Sequence, residues 1–252
     1  MEVARDQIVD LLDDYLRIDA VSDASVNGLQ VEGADRVSRL GVAVDVCAET
    51  IAIAARTGCQ MLLVHHGLFW GKSTRLVGAV GVRVGACYSA GLSVYAAHLP
   101  LDLHPELGNN VLLARELGGT TVDRFGMVDG VRIGIVAELA EPVSLARIAG
   151  RLAVTGSEEP LLWAFGADLV RRLGVITGSG ASALEEAIDA DVDCFVTGEP
   201  RHAAYHTARE AGVNCLFGGH YATETHGVRA VGELIAERFG IETQWIDHPT
   251  GV

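Results

Sequence analysis

Short apolar runs alternate with segments of helical periodicity along most of this chain, and the alternation predicts an α/β fold. The predicted strands lie at 39–45, 60–65, 92–97, 131–137, 161–165, 172–177, 192–197, 213–217 and 242–246. The predicted helices lie at 3–17, 48–57, 76–90, 108–118, 144–153, 181–189, 201–211 and 224–239. A Gly-rich, weakly patterned stretch at 118–130 separates the two sets. We therefore predict two halves, 1–125 and 126–252, packed closely as one unit.

The overall composition is that of an ordinary globular protein, with 49% apolar and 21% charged residues. No segment approaches the roughly 18 uninterrupted apolar residues that a membrane-spanning helix needs. The first eighteen residues place acids among spaced apolar residues, whereas a secretory signal has a basic stretch before an apolar block. We expect a soluble, cytoplasmic protein.

The formal net charge is −14, which disfavours whole classes of partner. Such a chain repels phosphate, which disfavours binding of its surface to nucleic acids and anionic membranes. The five cysteines are scattered through apolar runs without a C-x-x-C pair, which argues against thiolate zinc or redox chemistry. We expect buried thiols instead.

The two sets of elements read as a quasi-repeat. In the first, CQMLLVHHG leads through a helix to AGLSVYAAHLPLD, where His98 and Asp102 stand four residues apart. In the second, DCFVTGE leads through a helix to AGVNCLFGGHYATE, where His220 and Glu224 stand four apart. Both polar pairs then fall at the carboxyl ends of strands, where open α/β sheets place their sites.

The paired histidines His65 and His66 follow an apolar strand directly. Neighbours in a regular strand point to opposite faces, but the backbone turns at Gly67, and there both imidazoles can face one cavity. Taken alone, the pair fits partly buried or surface histidines as well as ligands. H-x-x-x-[DE] is also ambiguous, because residues four apart on a helix commonly form ion pairs or caps.

Together these residues indicate a metal site. Imidazole and carboxylate are the ligand set of zinc, manganese or ferrous iron. One catalytic metal with an open water position takes fewer ligands than the five that this set offers: His65, His66, Asp102, His220 and Glu224. These five suit two divalent ions. A hydroxide between the ions would be the nucleophile. Two ions, two carboxylates and that hydroxide sum to about +1, which favours an anionic substrate.

Five ordered blocks resemble the NIF-three-like dinuclear-metal family, whose bacterial members are labelled GTP cyclohydrolase I type 2 homologues. The blocks are NGLQVEG (27–33), VHHGLFW (64–70), HLPLDLHPELGNN (98–110), TGE with a histidine seven residues later (197–206), and GGHYATETHGVRAV (218–231).

The resemblance implies the metal ligands His65, His66, Asp102, His220 and Glu224, with Glu224 bridging. It also implies two intertwined α/β halves with the metal site at their interface, and a homohexameric ring. The implied reaction is hydrolytic opening of the guanine imidazole ring of GTP with loss of formate.

Candidates for proton transfer in such a reaction are His98, Glu199 and His206, which all lie in family-like blocks. Each of them also fits a structural role instead of proton transfer. His98 could orient Asp102, Glu199 could cap the next helix, and His206 could lie on a solvated helix surface. Near the paired histidines, Phe69 and Trp70 fit core packing better than base stacking. Three arginines fit solvated surface better than phosphate binding: Arg201, Arg209 and Arg229.

Three functions remain open at this point. The first is a dinuclear-metal hydrolase in which hydroxide attacks a nucleotide or related heterocycle. The second is a metal-binding scaffold or metal-handling protein without catalysis. The third is a phosphoester hydrolase, which would use the same ligands and the same nucleophile on phosphorus.

Overall fold

The computed structural model describes residues 1–71, 73–128, 130–155 and 159–252. The strands are β1 (Val3–Ala4), β2 (Gly28–Val31), β3 (Arg36–Val37), β4 (Arg39–Asp45), β5 (Met61–His66), β6 (Ser93–Ala96), β7 (Gly119–Val128), β8 (Val131–Ser144), β9 (Leu161–Trp163), β10 (Leu169–Val175), β11 (Cys194–Thr197), β12 (Asn214–Phe217) and β13 (Glu242–Trp245). The helices are α1 (Arg5–Leu16), α2 (Ala48–Arg56), α3 (Gly78–Ala90), α4 (Leu99–Asp102), α5 (Asn109–Glu116), α6 (Leu145–Thr155), α7 (Leu184–Asp189), α8 (Ala204–Ala211), α9 (His220–Thr223) and α10 (Thr225–Phe239), with a 3-10 turn at Gly180–Ala183.

The mixed α/β chain divides into two compact units. The first contains residues 1–101 and 227–248, and the second contains 102–226 and 249–252. This division does not coincide with a boundary between residues 125 and 126. Asp102 belongs to the second unit rather than to the predicted first half, and the stretch 227–248 belongs to the first.

The first unit is built on a five-stranded sheet of order β13-β4-β5-β6-β2. Strands β13, β4, β5 and β6 run parallel, and β2 is antiparallel to β6. The central strands are apolar along nearly their whole length because helices cover both faces. Helices α2 and α3 pack on one face. On the other, Gly232 of α10 lies against Val42, and the Tyr95 hydroxyl donates a hydrogen bond to Asp13 of α1.

The second unit is built on a six-stranded sheet of order β7-β8-β10-β11-β12-β9. Strands β10, β11 and β12 are parallel, whereas β8 and β9 are antiparallel to their neighbours. Alternate residues of β11 enter different cores: Cys194 and Val196 pack with α5 and α6, and Phe195 packs with α7 and α8. This sheet therefore also lies between two layers of helices.

The quasi-repeat predicted from sequence is visible in the topology and in its details. Strands β2, β4, β5 and β6 correspond in order and direction to β9, β10, β11 and β12. In each copy a glycine that precedes the parallel strands lies against the turn between the last helix and the last parallel strand, after α3 in the first copy and after α8 in the second. A Cβ on Gly33 would lie 2.5 Å from the Gly91 carbonyl oxygen, and one on Gly166 would lie 2.5 Å from that of Gly212. Their amide groups donate to equivalent side chains, those of Ser93 and Asn214.

The segment 118–130 differs from its sequence-based interpretation. Most of it is β7, which pairs antiparallel with β8 from Gly119 opposite Leu139 to Val128 opposite Val131. β7 is an edge strand whose residues are mostly exposed, so it lacks the apolar alternation that identifies a half-buried strand. The prediction also grouped 242–246 with the second set, but β13 pairs with β4 of the first sheet.

Within the described ranges, no helix is long and apolar enough to cross a membrane.

The burial of the five cysteines can be tested by the reactivity of their thiols. Cys59, Cys87, Cys194 and Cys215 are buried, as predicted, and Cys47 is half-buried. Burial raises the pKa of Cys87 to about 11 and that of Cys215 to about 12, so few of these thiols ionise at pH 8. We expect DTNB to modify one thiol quickly in the native protein and all five after unfolding. The fast phase should disappear in Cys47→Ser, and a second fast thiol in that variant would contradict the packing.

Candidate metal centre

The first unit carries three histidines at the ends of two neighbouring parallel strands. His65 and His66 end β5, and His98 lies two residues after β6. The His65 side chain is fully buried, and its Nδ1 donates to the Ala97 carbonyl oxygen at 2.8 Å. Since a neutral imidazole carries one proton, this bond places the lone pair of His65 on Nε2.

His66 is oriented by a carboxylate from the adjacent strand. Asp45 of β4 lies directly opposite His66 of β5 in the sheet register. Its Oδ1 accepts a hydrogen bond from His66 Nδ1 at 2.9 Å. A carboxylate that accepts from the far nitrogen of an imidazole fixes the tautomer and makes Nε2 a better metal ligand.

His98 is oriented in the same way by Asp23. Its Nδ1 lies 3.0 and 3.1 Å from the two carboxylate oxygens of Asp23, and Asn27 Oδ1 accepts from the His98 amide. Burial by itself raises the pKa of Asp23, but hydrogen bonds from His98 and Asn27 and the charge of His98 hold that pKa well below its ordinary value. Asp23 is therefore an ionised acceptor behind His98.

The three imidazoles form one cluster. Their ring centroids are 4.7 Å apart for His65 and His66, 5.0 Å for His65 and His98, and 5.6 Å for His66 and His98. One potential ligand nitrogen of each lies within 4.8 Å of the other two. Because every Nδ1 already bonds an oxygen, Nε2 is the nitrogen that each ring offers. Three imidazole nitrogens form a ligand set that suits zinc, manganese or ferrous iron.

The chain bends at Leu68, just after the two histidines, and Gly67 is closely packed between them and this bend. A Cβ on Gly67 would lie 2.3 Å from Gln30 Nε2 and 2.7 Å from the Ala96 Cβ, so only glycine fits without a shift of these neighbours. The Leu68 amide donates to Gln30 Oε1 at 2.6 Å, which holds the turn against β2. The change of direction predicted from the glycine is therefore present.

The second unit carries its own group of polar residues around His220 at the start of α9. His220 Nδ1 is hydrogen-bonded to Glu199, and Nε2 lies 3.1 Å from Glu224 Oε2. Burial by itself lowers the pKa of His220, but hydrogen bonds and charge from Glu224 and then Glu199 raise it to about 9. Two carboxylates therefore hold a cation at this position, which is the environment that a divalent ion requires.

Two glycines make room for this set. Gly178, at φ +65°, lies so close to Glu224 that a Cβ would stand 2.1 Å from Oε1 and 3.1 Å from His220 Nε2. A Cβ on Gly198 would lie 2.7 Å from the His220 Cα. The Thr223 hydroxyl accepts a hydrogen bond from the Gly178 amide at 3.1 Å.

Asp102 is buried in the second unit at the end of α4, and its Oδ1 accepts from Asn109 Nδ2 at 2.8 Å. The neighbouring Asn110 makes four hydrogen bonds to backbone or hydroxyl groups, including one to the Asp102 carbonyl oxygen and one from the Thr177 amide at 2.7 Å. Thr177 precedes Gly178, so this network joins the Asp102 loop to the turn beside Glu224. The carboxylate is thereby fixed before any ion binds.

The remaining candidate residues lie in different environments. Glu199 contacts His220 rather than capping a helix. His206 lies exposed on α8, with its ring 5.5 Å from that of Tyr205. Phe69 packs on the first core, but Trp70 is 42% exposed and its ring lies 5.0 Å from that of His98, contrary to a core role.

The three arginines considered for phosphate binding are exposed, as expected for solvated surface. The guanidinium of Arg229 lies 5.1 Å above the ring of Trp245.

Sequence reasoning missed the residues that orient these histidines and acids or make room for them: Asp23, Asp45, Asn109, Gly178 and Gly198. Asn109 and Gly198 lie within recognised motif blocks, 98–110 and 197–206, where their places near Asp102 and Glu199 were a signal. The others come from distant parts of the chain and carry no distinctive local pattern.

Comparisons with known proteins agree with this architecture. The model of the Duf34/NIF3 (NGG1p interacting factor 3) family matches residues 3–250. A protein named GTP cyclohydrolase 1 type 2 homolog from Deinococcus radiodurans is 43% identical over 251 residues, covering 100% of this chain and 95% of its own. Its namesake from Halobacterium salinarum is 44% identical over 243 residues, covering 95% of this chain and 96% of its own.

Two solved structures match closely. Protein ybgI, described as of unknown function, has a TM-score of 0.92 at 33% identity, covering 99% of this chain and 100% of its own. TTHA1606 from Thermus thermophilus has a TM-score of 0.88 at 42% identity, with the same coverage. The family match spans nearly the whole sequence, and the relatives align from end to end. The chain therefore belongs to the Duf34/NIF3 family.

Proposed function

We propose that this chain is a dinuclear-metal-dependent hydrolase of the GTP cyclohydrolase type 2 homologue kind. His65 and His66 from the first unit, with Asp102, His220 and Glu224 from the second, are the proposed ligands of two divalent ions. Zinc, manganese and ferrous iron all suit this mixture of imidazole and carboxylate.

One observation carries the proposal. Each of the four histidines His65, His66, His98 and His220 has its Nδ1 bonded to an oxygen. For three of them the oxygen belongs to a carboxylate. Imidazoles that bind metals are typically oriented in this manner, whereas surface or core histidines have no reason to share it.

Bound divalent ions would supply Lewis acidity and lower the pKa of a coordinated water towards about 7. The chain's own residues supply the rest. Asp102 and Glu224 provide two negative charges that balance the ions only in part, which favours an anionic substrate. His98, with Asp23 behind it, is proposed to transfer a proton to the leaving nitrogen. Glu199 holds the proton on His220 Nδ1, and His206 is kept as a further proton-transfer candidate.

The names of the relatives support GTP as the first substrate to test. Hydrolysis would open the imidazole ring of guanine and release formate. A homohexameric ring and a cytoplasmic location are further parts of the proposal, which rest on the family resemblance, and sedimentation velocity would measure the first of them.

The test compares ligand variants with matched controls. Protein loaded with Mn²⁺, Zn²⁺ or Fe²⁺ is incubated with GTP and with a panel of phosphoesters, and formate and phosphate are measured. We expect formate release that falls at least about 100-fold in His66→Ala and Glu224→Gln, since removal of one preorganised electrostatic group costs about 10²–10³ in rate. His202→Ala and Glu237→Gln, which change exposed residues, should behave as the unchanged protein.

Phosphate release without formate would replace the cyclohydrolase with a phosphoester hydrolase at the same site. A correctly loaded protein that releases neither product would leave a metal-binding scaffold and refute the hydrolase.

A further inference from the structure

A separate cavity of about 320 Å³ lies beside α5 in the second unit. Its lining residues come from the loop after α4, from α5 and from the paired strands β7 and β8: Pro105, Val111, Arg115, Gly119, Thr120, Thr121, Arg124 and Ile135. None of the proposed metal ligands is among them. The volume is at the lower end of the range for small-molecule pockets, about 300–1,000 Å³.

Two guanidinium groups reach this cavity, and neither is neutralised by a carboxylate within the described part of the chain. Arg115 Nη1 donates to the Glu106 carbonyl oxygen at 3.1 Å, and Arg124 Nη2 donates to the Leu103 carbonyl oxygen at 3.1 Å. Arg124 Nη1 is buried and has no hydrogen-bond partner among the residues that the structure describes. Among the residues that line the cavity, none is acidic.

Burial of this guanidinium nitrogen without an acceptor costs free energy unless an anion binds beside it. A buried charged donor without an acceptor loses its hydration and gains nothing in return. The cost is unexpected in a chain of net charge −14, where carboxylates are abundant. Arginine's fork of donors matches the tetrahedral or planar oxygens of phosphate and carboxylate, and threonine hydroxyls add further donors at the rim.

We propose that this pocket binds a phosphoryl oxyanion, either free phosphate or the phosphoryl group of a nucleotide. The guanidinium groups of Arg124 and Arg115 and the hydroxyl of Thr120 contact the anion. Both guanidiniums are already held by carbonyl oxygens, so little side-chain freedom is lost on binding. The site stands independently of the proposed hydrolase, because it needs no metal.

The experiment uses the full chain freed of metal with a chelator, at low ionic strength. Calorimetric titration with inorganic phosphate, GTP and guanosine measures affinity for each. We expect phosphate or GTP to bind and guanosine not to bind. Affinity should fall at least about tenfold in Arg124→Gln and in Arg115→Gln, and less in Arg124→Lys, which keeps the charge. Arg147→Gln, an exposed arginine on α6, should leave it unchanged.

If phosphate binds and GTP does not, the ligand is the free ion; if GTP binds more tightly, the ligand is a nucleotide. Equal affinities for Arg124→Gln, Arg115→Gln and Arg147→Gln would overturn the proposal. The proposal would also be overturned if the unchanged protein binds no phosphate and Arg124→Gln sediments differently from it. A second copy of the chain would then be the partner of the guanidinium. Arg115 is exposed, so its variant tests the site even where Arg124→Gln fails to fold.

Discussion

His66→Ala is expected to lower the affinity for divalent ions by more than about 100-fold. Loss of an outer partner of a metal ligand alone costs about 10–100-fold, and loss of the ligand itself costs more. Asp45→Asn should fall within that smaller range, because Asp45 touches the His66 ring at Nδ1 and leaves Nε2 in place. Metal content by mass spectrometry and competition with a chromophoric chelator measure the series.

The exposed His202 provides the control, since His202→Ala removes an imidazole without touching either cluster. The affinity for divalent ions should fall most in His66→Ala and less in Asp45→Asn. It should not change in His202→Ala. Equal metal binding by His66→Ala and His202→Ala would show that His66 is not a ligand. A total of one ion per chain under excess metal would refute the dinuclear arrangement.

Gly178→Ala is expected to destabilise the protein by about 2–5 kcal/mol and to abolish metal binding around Glu224. A non-glycine residue at positive φ costs about 1–2 kcal/mol, and a steric overlap in a packed interior costs about 1–3 kcal/mol more. The overlap falls on Glu224 Oε1, which would stand 2.1 Å from the new methyl carbon. Urea unfolding measures the stability, and metal content measures the site.

Gly212→Ala separates the two causes. Gly212 has φ +67°, close to the +65° of Gly178, but a Cβ there would meet only the Phe165 carbonyl oxygen at 3.8 Å. This variant should show the backbone cost alone and keep its metal. If both variants lose stability equally and both bind metal, the close approach of Gly178 to Glu224 does not shape the site.

The central strands could be predicted from sequence because both their faces are buried. β4 and β5 are continuous apolar runs, and the structure places them within one residue of their predicted bounds. The duplication was also visible, since each copy repeats a strand, a helix ending in Ala-Gly and a second strand. These signals are local, so a single sequence contains them.

Edge strands could not be predicted in the same way. β7 presents mostly exposed residues, and β2 is only four residues long, so neither carries a strong hydrophobic period. The partner of β13 was invisible for a different reason: pairing between residues about two hundred positions apart leaves no local pattern.

The histidines and acids of the candidate site could be named from sequence because their residue types and motif spacing indicate ligands. Their supports could not. Asp45 becomes relevant only through its register opposite His66, and Asp23 only through the path of the chain after α1. A carboxylate in a loop has many uses, and tertiary structure selects among them.

The pairing of β13 with β4 has a consequence for the order in which the protein assembles. Residues 102–226 form one uninterrupted stretch of the second unit, whereas the first sheet includes a strand that is synthesised some two hundred residues after β4. On the ribosome the second unit can therefore fold while the first still lacks an edge strand. Closing so long a loop is slow, and the exposed edge of β4 is a site for mispairing until β13 arrives.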